Sequence, residues 1–326
     1  MPGQMKRHIK FLLFGIATFS GLLSANAQEK ALPVENYFVT ASAKYPKLKE
    51  QAEITVGNTT LKIFLIPGDI TDLIAAKNPR YRADAIVAST NVLFDIHGKF
   101  PIVQKAIFDA LPQEAREDLI KSFAKAKNER FERYSVTDKT DAVVLLNGAA
   151  VEPLFLDPIR GRPSHFCFLA TDSPEGGTAT NPVYIDFNRP DRISQGVSKC
   201  LSNLNGVISV SMPLIGAASA GQPSQPLRTC RMRNALIGDL DGIMDYVLAA
   251  AKTSQPIQLR ELGIVVWSQD LDGLSDQMET LEKVLPALLT QAATAVHQGR
   301  SSSGLQLADC KEPKGNEPPF PPLKVP

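Results

Sequence analysis

Short apolar runs of strand length alternate along this chain with stretches whose apolar residues recur every three or four positions. Residues 63–66, 83–88, 142–146, 165–171, 207–212 and 264–267 read as strands, with 142–146 of the buried type. Residues 54–56 and 61–66 flank Gly57-Asn58, a turn pair that predicts a hairpin. Helical spacing follows Asp69 through Ala75 and Ala76 and stops at Pro79. It returns at 102–111, which Pro112 punctuates, and at 114–127, where mixed charges around Leu119, Ile120 and Phe123 form a solvated face. Within 189–206, Ile193, Val197, Cys200, Leu201 and Leu204 mark a helix face packed on a sheet. Residues 234–252 predict a long helix with Leu236, Leu240, Ile243, Met244, Val247 and Leu248 buried. Gly238 and Gly242 in it admit a close neighbour. A closing helix is expected from Gln277, capped by Ser275-Asp276 with Glu279, and kinked or divided at Pro286. Residues 207–212 are expected to form the central strand.

The two ends differ from this pattern. Lys6, Arg7 and Lys10 precede an apolar run over 11–23, and Ala25-Asn26-Ala27 offers small residues to a signal peptidase. Residues 1–27 therefore read as a signal peptide, 28–52 as a lead-in, 53–300 as the domain and 301–326 as a flexible Pro-rich tail. The expected product is exported, periplasmic or secreted, with no membrane span after signal removal. A chain of about 300 residues then remains, enough for a full core. Its composition is 44% hydrophobic and 21% charged, with net charge +1. That balance lacks the basic face on which phosphate neutralisation depends, so no nucleic-acid partner is expected. Export permits disulfides among Cys167, Cys200, Cys230 and Cys310. Cys200 and Cys230 flank the Pro213 loop at similar distances and are the preferred pair, with buried free thiols the equal alternative. Cys310 offers a tether for the tail.

Chemistry concentrates where strands end. The first apolar run leads into Pro67-Gly68-Asp69-Ile70-Thr71, and the next into Ser89-Thr90-Asn91. Ligands of open α/β sheets sit at such carboxyl ends, where strand termini and helix starts converge. Far downstream comes Pro213-Leu214-Ile215-Gly216-Ala217-Ala218-Ser219-Ala220-Gly221-Gln222-Pro223. Gly-Asp-Ile-Thr after a strand, Asp84-Ala85-Ile86-Val87 running into Asn91, and this glycine-containing loop stand in family order. Together they resemble the macro domain, an ADP-ribose-binding α/β module.

The resemblance spans roughly residues 54–289. It implies a three-layer α/β/α sandwich with a mixed, mostly parallel sheet. It implies that Asp69 accepts a hydrogen bond from the adenine amine, since a carboxylate is acceptor-only, while the plainer reading makes Asp69 a helix N-cap. The backbone at Ile70 would help seat the nucleotide and Asn91 would contact the distal ribose. Gly216, Ala217, Ala218, Ser219, Ala220 and Gly221 would hold the diphosphate, with Ala217 and Ala218 replacing the family's Thr and Gly. Family members often stack an aromatic on adenine after the last strand. Trp267 is the nearest candidate here, although a lone Trp is expected in the core. The departure lies after Asn91. Where the family has a glycine-rich loop, this chain has Val92-Leu93-Phe94-Asp95-Ile96-His97-Gly98-Lys99-Phe100-Pro101, with only Gly98 retained. No carboxylate occupies the position where hydrolytic members carry an acid, at Pro101 or Val103. Asp95 and His97 form a replacement acid/base pair in one reading and solvent-facing loop residues in the other, which the residues favour.

Three functions follow. One is a module binding ADP-ribose or a related nucleotide, without a cofactor. The second, if the chain is an enzyme, is an ADP-ribosyl hydrolase in which Asn91 positions the substrate and Asp95 or His97 activates water. The third is a degenerate scaffold for a protein partner. Zinc-hydrolase and serine-hydrolase motifs are missing, and His97, His165 and His297 are too scattered to mark a metal site.

Overall fold

A computed structural model describes residues 50–56, 59–74, 83–91, 102–134, 154–155, 163–172, 190–217, 225–253, 257–267, 271–298, 300, 307–308 and 310. All of them belong to the unit Leu32–Pro326. They contain strands β1 (Glu50–Val56), β2 (Thr59–Pro67), β3 (Ala85–Asn91), β4 (Leu154–Phe155), β5 (His165–Asp172), β6 (Ser209–Pro213) and β7 (Glu261–Val266). The helices are α1 (Ile70–Ile74), α2 (Ile102–Ala110), α3 (Gln113–Tyr134), α4 (Pro190–Asn203), α5 (Gln225–Lys252) and α6 (Leu271–His297).

The strands form one sheet in the order β1-β2-β7-β6-β3-β5-β4. The five inner strands run parallel, and β1 and β4 pair antiparallel at the two edges. β6 is thus the central strand, as its sequence suggested. β1 and β2 form the expected hairpin, with Val56 opposite Thr59.

Side chains on successive strand residues point to opposite faces, and both faces are covered. Ala85 and Val87 of β3, Cys167 and Leu169 of β5, and Ile264 and Val266 of β7 join one apolar cluster with residues of α4, α5 and α6. Ile86 and Ala88, Phe166 and Phe168, and Val265 join the other with residues of α1, α2 and α3. Burial on both sides explains why these strands are apolar throughout. The result is a three-layer α/β/α sandwich with a mixed, mostly parallel sheet.

Phe123 of α3 meets Phe168 of β5 edge to face, with ring centroids 5.0 Å apart. Gly242 of α5 stands where α4 crosses, because a Cβ there would lie 2.6 Å from the Ser194 carbonyl oxygen and 2.7 Å from Val197 Cβ. That is the close approach its sequence position implied.

Several expectations are corrected. α5 begins at Gln225 rather than Asn234, and α6 at Leu271 rather than Gln277, so Ser275 and Asp276 lie inside a helix and do not cap one. α6 runs through Pro286 without dividing. The cysteines form Cys167–Cys200 and Cys230–Cys310, not Cys200–Cys230 and not free thiols. The reason is topological. Cys167 on β5 and Cys200 on α4 both belong to the cluster between sheet and helix, whereas Cys230 meets the returning tail at Cys310. The tether expected of Cys310 is thereby realised. The strand expected at 142–146, residues 1–49 and most of the tail after 301 lie outside the described residues.

Candidate functional site at the carboxyl edge of the sheet

Parallel strands place their carboxyl ends along one edge, and the polar turns of this chain gather there. β2 and β7 pair up to Pro67 and Val266. The next residues, Gly68-Asp69 and Trp267, therefore leave the sheet side by side, and the Gly68 amide donates to the Val266 carbonyl at 3.0 Å. Gly68 has φ 146°, a conformation that favours glycine and turns the chain sharply into α1. β6 lies beside β7 and delivers Leu214, Ile215, Gly216 and Ala217 to the same edge.

The neighbouring seam is incomplete. β3 and β6 pair only at Ala85–Val210 and Ile86–Ser211, while β3 continues beside β5 as far as Asn91. Ladder pairing between β3 and β6 thus stops well short of the carboxyl edge. Connections from β3 and β6 also depart to opposite faces, since α2 and α3 cover one face and α5 the other. A strand seam where connections diverge is the topological switch point at which open α/β sheets hold ligands.

Asp69 is the N-cap of α1. Its Oδ1 accepts from the Thr71 amide at 2.9 Å, and its carbonyl accepts from the Asp72 amide at 3.1 Å. The plainer reading of Asp69 therefore holds. An ionised carboxylate still carries a second acceptor oxygen, so capping through Oδ1 leaves Oδ2 for a ligand donor. Ile70 is buried, which leaves only its backbone for a ligand. Trp267 is 46% exposed, which corrects the expectation that it packs in the core. It follows the last residue of β7 and so sits beyond the sheet's packed layer.

The turn after β6 is held at several points. The Leu214 amide donates to the Val265 carbonyl at 3.3 Å, and the Ala217 amide to the Leu214 carbonyl at 3.4 Å. The Ile215 amide donates to Asp239 Oδ2 of α5 at 3.1 Å, in a fully buried setting. Gly216 has φ 84°, in the left-handed region that glycine tolerates and alanine resists. Glycine at 216 thus has a backbone reason.

At the end of β3, the buried Thr90 hydroxyl donates to Gln104 Oε1 of α2 at 2.8 Å. This bond ties the end of β3 to α2, the described elements on either side of residues 92–101. Asn91 occupies the last position of β3, opposite Asp172. Asp95, His97 and Gly98, with Ala218, Ser219, Ala220 and Gly221, lie outside the described residues. Asp69, Ile70, Asn91, Gly216 and Ala217 all fall on the one edge.

The acid of Asp84-Ala85-Ile86-Val87 does different work. It sits before β3, at the opposite edge of the sheet, where Asp84 Oδ2 accepts from the Ile208 amide at 3.1 Å and the Ser209 amide at 2.9 Å. Its carbonyl accepts from the Ser164 and His165 amides. Asp84 thus stitches the starts of β3, β5 and β6.

Asp239 and Gln104 were missed by sequence reasoning. Asp239 was the more detectable, because it falls three residues after Leu236 and four before Ile243, on a stripe otherwise apolar. Burial pushes its carboxyl well above the usual carboxylate range, with the Ile215 N–H pulling the other way. Among the described residues, no group of three or more His, Cys, Asp or Glu is arranged to hold a metal ion, and no helix is long and apolar enough to cross a membrane.

No protein-family model matches the sequence, and no curated protein matches it. Among solved structures, the chain is similar to the macrodomain of Oceanobacillus iheyensis with ADP, at 16% identity over 72% of this chain and 97% of that one, TM-score 0.41. It is similar to the Trypanosoma brucei macrodomain in complex with ADP, at 16% identity over 82% and 92%, TM-score 0.35. The macrodomain of Thermus aquaticus DarG matches at 14% identity over 62% and 97%, TM-score 0.34. Likeness at this level assigns neither a family nor a ligand.

Proposed function

We propose that this chain is an exported, divergent macro-like domain that binds ADP-ribose or a related nucleotide at the carboxyl edge of its sheet. The observation that carries the reading is convergence. Gly68-Asp69 and Trp267 leave adjacent strands side by side, and Gly216 turns the exit of the next strand with a left-handed backbone. An acceptor for the adenine amine, an exposed ring to stack on the base and a turn amide for the diphosphate are what the ligand's three parts require. Asn91 contacts the distal ribose in this reading, and the Ile70 backbone lies under the nucleotide. The two disulfides support export, because such bonds persist in oxidising compartments.

Calorimetric titration of the full-length protein with ADP-ribose tests this reading. Micromolar binding that Asp69→Ala abolishes is the expected result. No heat at millimolar ADP-ribose would overturn it and leave a scaffold for a protein partner. Incubating the same preparation with ADP-ribosylated protein separates a binder from a hydrolase acting through Asn91 and Asp95 or His97.

A further inference from the structure

Asp239 is fully buried on α5, among Leu236, Leu240 and Ile243. A leucine there would continue the apolar stripe without desolvating a carboxyl group. Oδ2 accepts the Ile215 amide at 3.1 Å, and Oδ1 has no hydrogen-bond partner among the described residues. A half-satisfied carboxyl in the core costs stability, so its return is sought in what it holds. It holds the turn that follows the central strand.

We propose that Asp239 is a positioning residue of the carboxyl-edge crevice: by fixing the Ile215 amide from beneath, it holds the turn at residues 214–217 in its binding shape and leaves the Gly216 amide to an anionic ligand. This deepens the nucleotide reading and rests on it for the identity of the ligand. Three amides of the turn are engaged, Leu214 by the Val265 carbonyl, Ile215 by Asp239 and Ala217 by the Leu214 carbonyl. Gly216 has no such partner among the described residues, and its φ of 84° lies in the left-handed region. Among the described residues, the Asp239 bond alone links this turn to a helix by a hydrogen bond. Burial favours the uncharged carboxyl, which still accepts through its carbonyl oxygen and does not repel a phosphate above it.

The test compares wild type, Asp239→Leu, Asp239→Ala and Asp239→Asn in the full-length protein. Thermal unfolding establishes that each is folded. Hydrogen exchange of the amides at 214–217 reports the turn, and titration with ADP-ribose reports the crevice. Asparagine keeps an acceptor for Ile215, so wild-type exchange and affinity are expected of it. Leucine and alanine remove the acceptor, and at least tenfold faster exchange confined to this turn is expected, with at least tenfold weaker ADP-ribose binding. Alanine cannot overpack and guards against a leucine variant that fails to fold. Unchanged exchange at 214–217 in the leucine and alanine variants would overturn the proposal, as would faster exchange spread evenly over the sheet. If wild type binds no ADP-ribose, the nucleotide reading fails by itself. The exchange arm then still decides whether Asp239 holds the turn.

Discussion

Asp69 caps a helix through one carboxylate oxygen and offers the other to the proposed ligand. Its Oδ1 caps α1 through Thr71, so Asp69→Ala is expected to cost about 1 kcal/mol of stability as well as nucleotide affinity. Asparagine caps nearly as well as aspartate but presents an NH2 where the proposed ligand brings its own donor. Asp69→Asn should therefore unfold in urea at nearly the wild-type midpoint while binding ADP-ribose at least tenfold more weakly. Equal affinity for the two proteins would remove Asp69 from the site. Asp239 gives the pH dependence. Its folded-state pKa is raised, so its contribution is fully present below the ordinary carboxylate pKa of about 4 and is lost as pH rises toward the folded value. The stability of Asp239→Asn relative to wild type should accordingly increase between pH 4 and neutrality, as read from urea midpoints at each pH. A gap that shrinks over that range would contradict the assignment.

Elements bring these residues together through contacts that leave little slack. α4 and α5 cross at Gly242, and a methyl there would meet a backbone oxygen at 2.6 Å. Alanine is worth about 1 kcal/mol over glycine in a helix interior, but the helices must separate to admit it, and overpacking costs about 1–3 kcal/mol. The clash is with main chain and cannot relax by a rotamer change, so it wins. Gly242→Ala should lower the urea midpoint, whereas the helix-propensity gain alone would raise it. Most elements were legible because their burial is one-sided or complete, and periodicity reports both. Their starts were less so. α6 begins at Leu271, six residues before the expected Gln277, because Ser275 and Asp276 read equally well as a cap and as polar residues inside the helix. Trp267 was expected inside on composition alone, since its exposure depends on where β7 ends in the sheet.

For the molecule as a whole, the two disulfides act at different depths. Cys167 and Cys200 are buried between β5 and α4, whereas Cys230–Cys310 includes the partly exposed Cys310 of the tail segment. The Asn234 side chain seats that segment, accepting from the Ala308 amide at 3.0 Å and donating to its carbonyl at 2.8 Å. Mild dithiothreitol under native conditions should open Cys230–Cys310 first, as mass spectrometry of alkylated thiols would report. Earlier labelling of Cys167 and Cys200 would contradict the burial. Loop closure of 80 residues for Cys230–Cys310 and 33 for Cys167–Cys200 makes each bond worth about 4 kcal/mol in the chain-entropy account.

By itself the sequence determined the alternation of strands and helices, the central place of the strand before Pro213, and the polar strand ends at Asp69, Asn91 and Gly216. Those features are local, since apolar period, turn residues and glycine backbone freedom act over a few positions. Tertiary structure alone decided that Asp84 stitches the far edge, that Cys167 meets Cys200, and that Asp239 supports a turn 24 residues before it. Each of these depends on which strands become neighbours, and the β2-β7-β6-β3-β5 order arises from burying both faces of one sheet at once. No window of the chain contains that constraint.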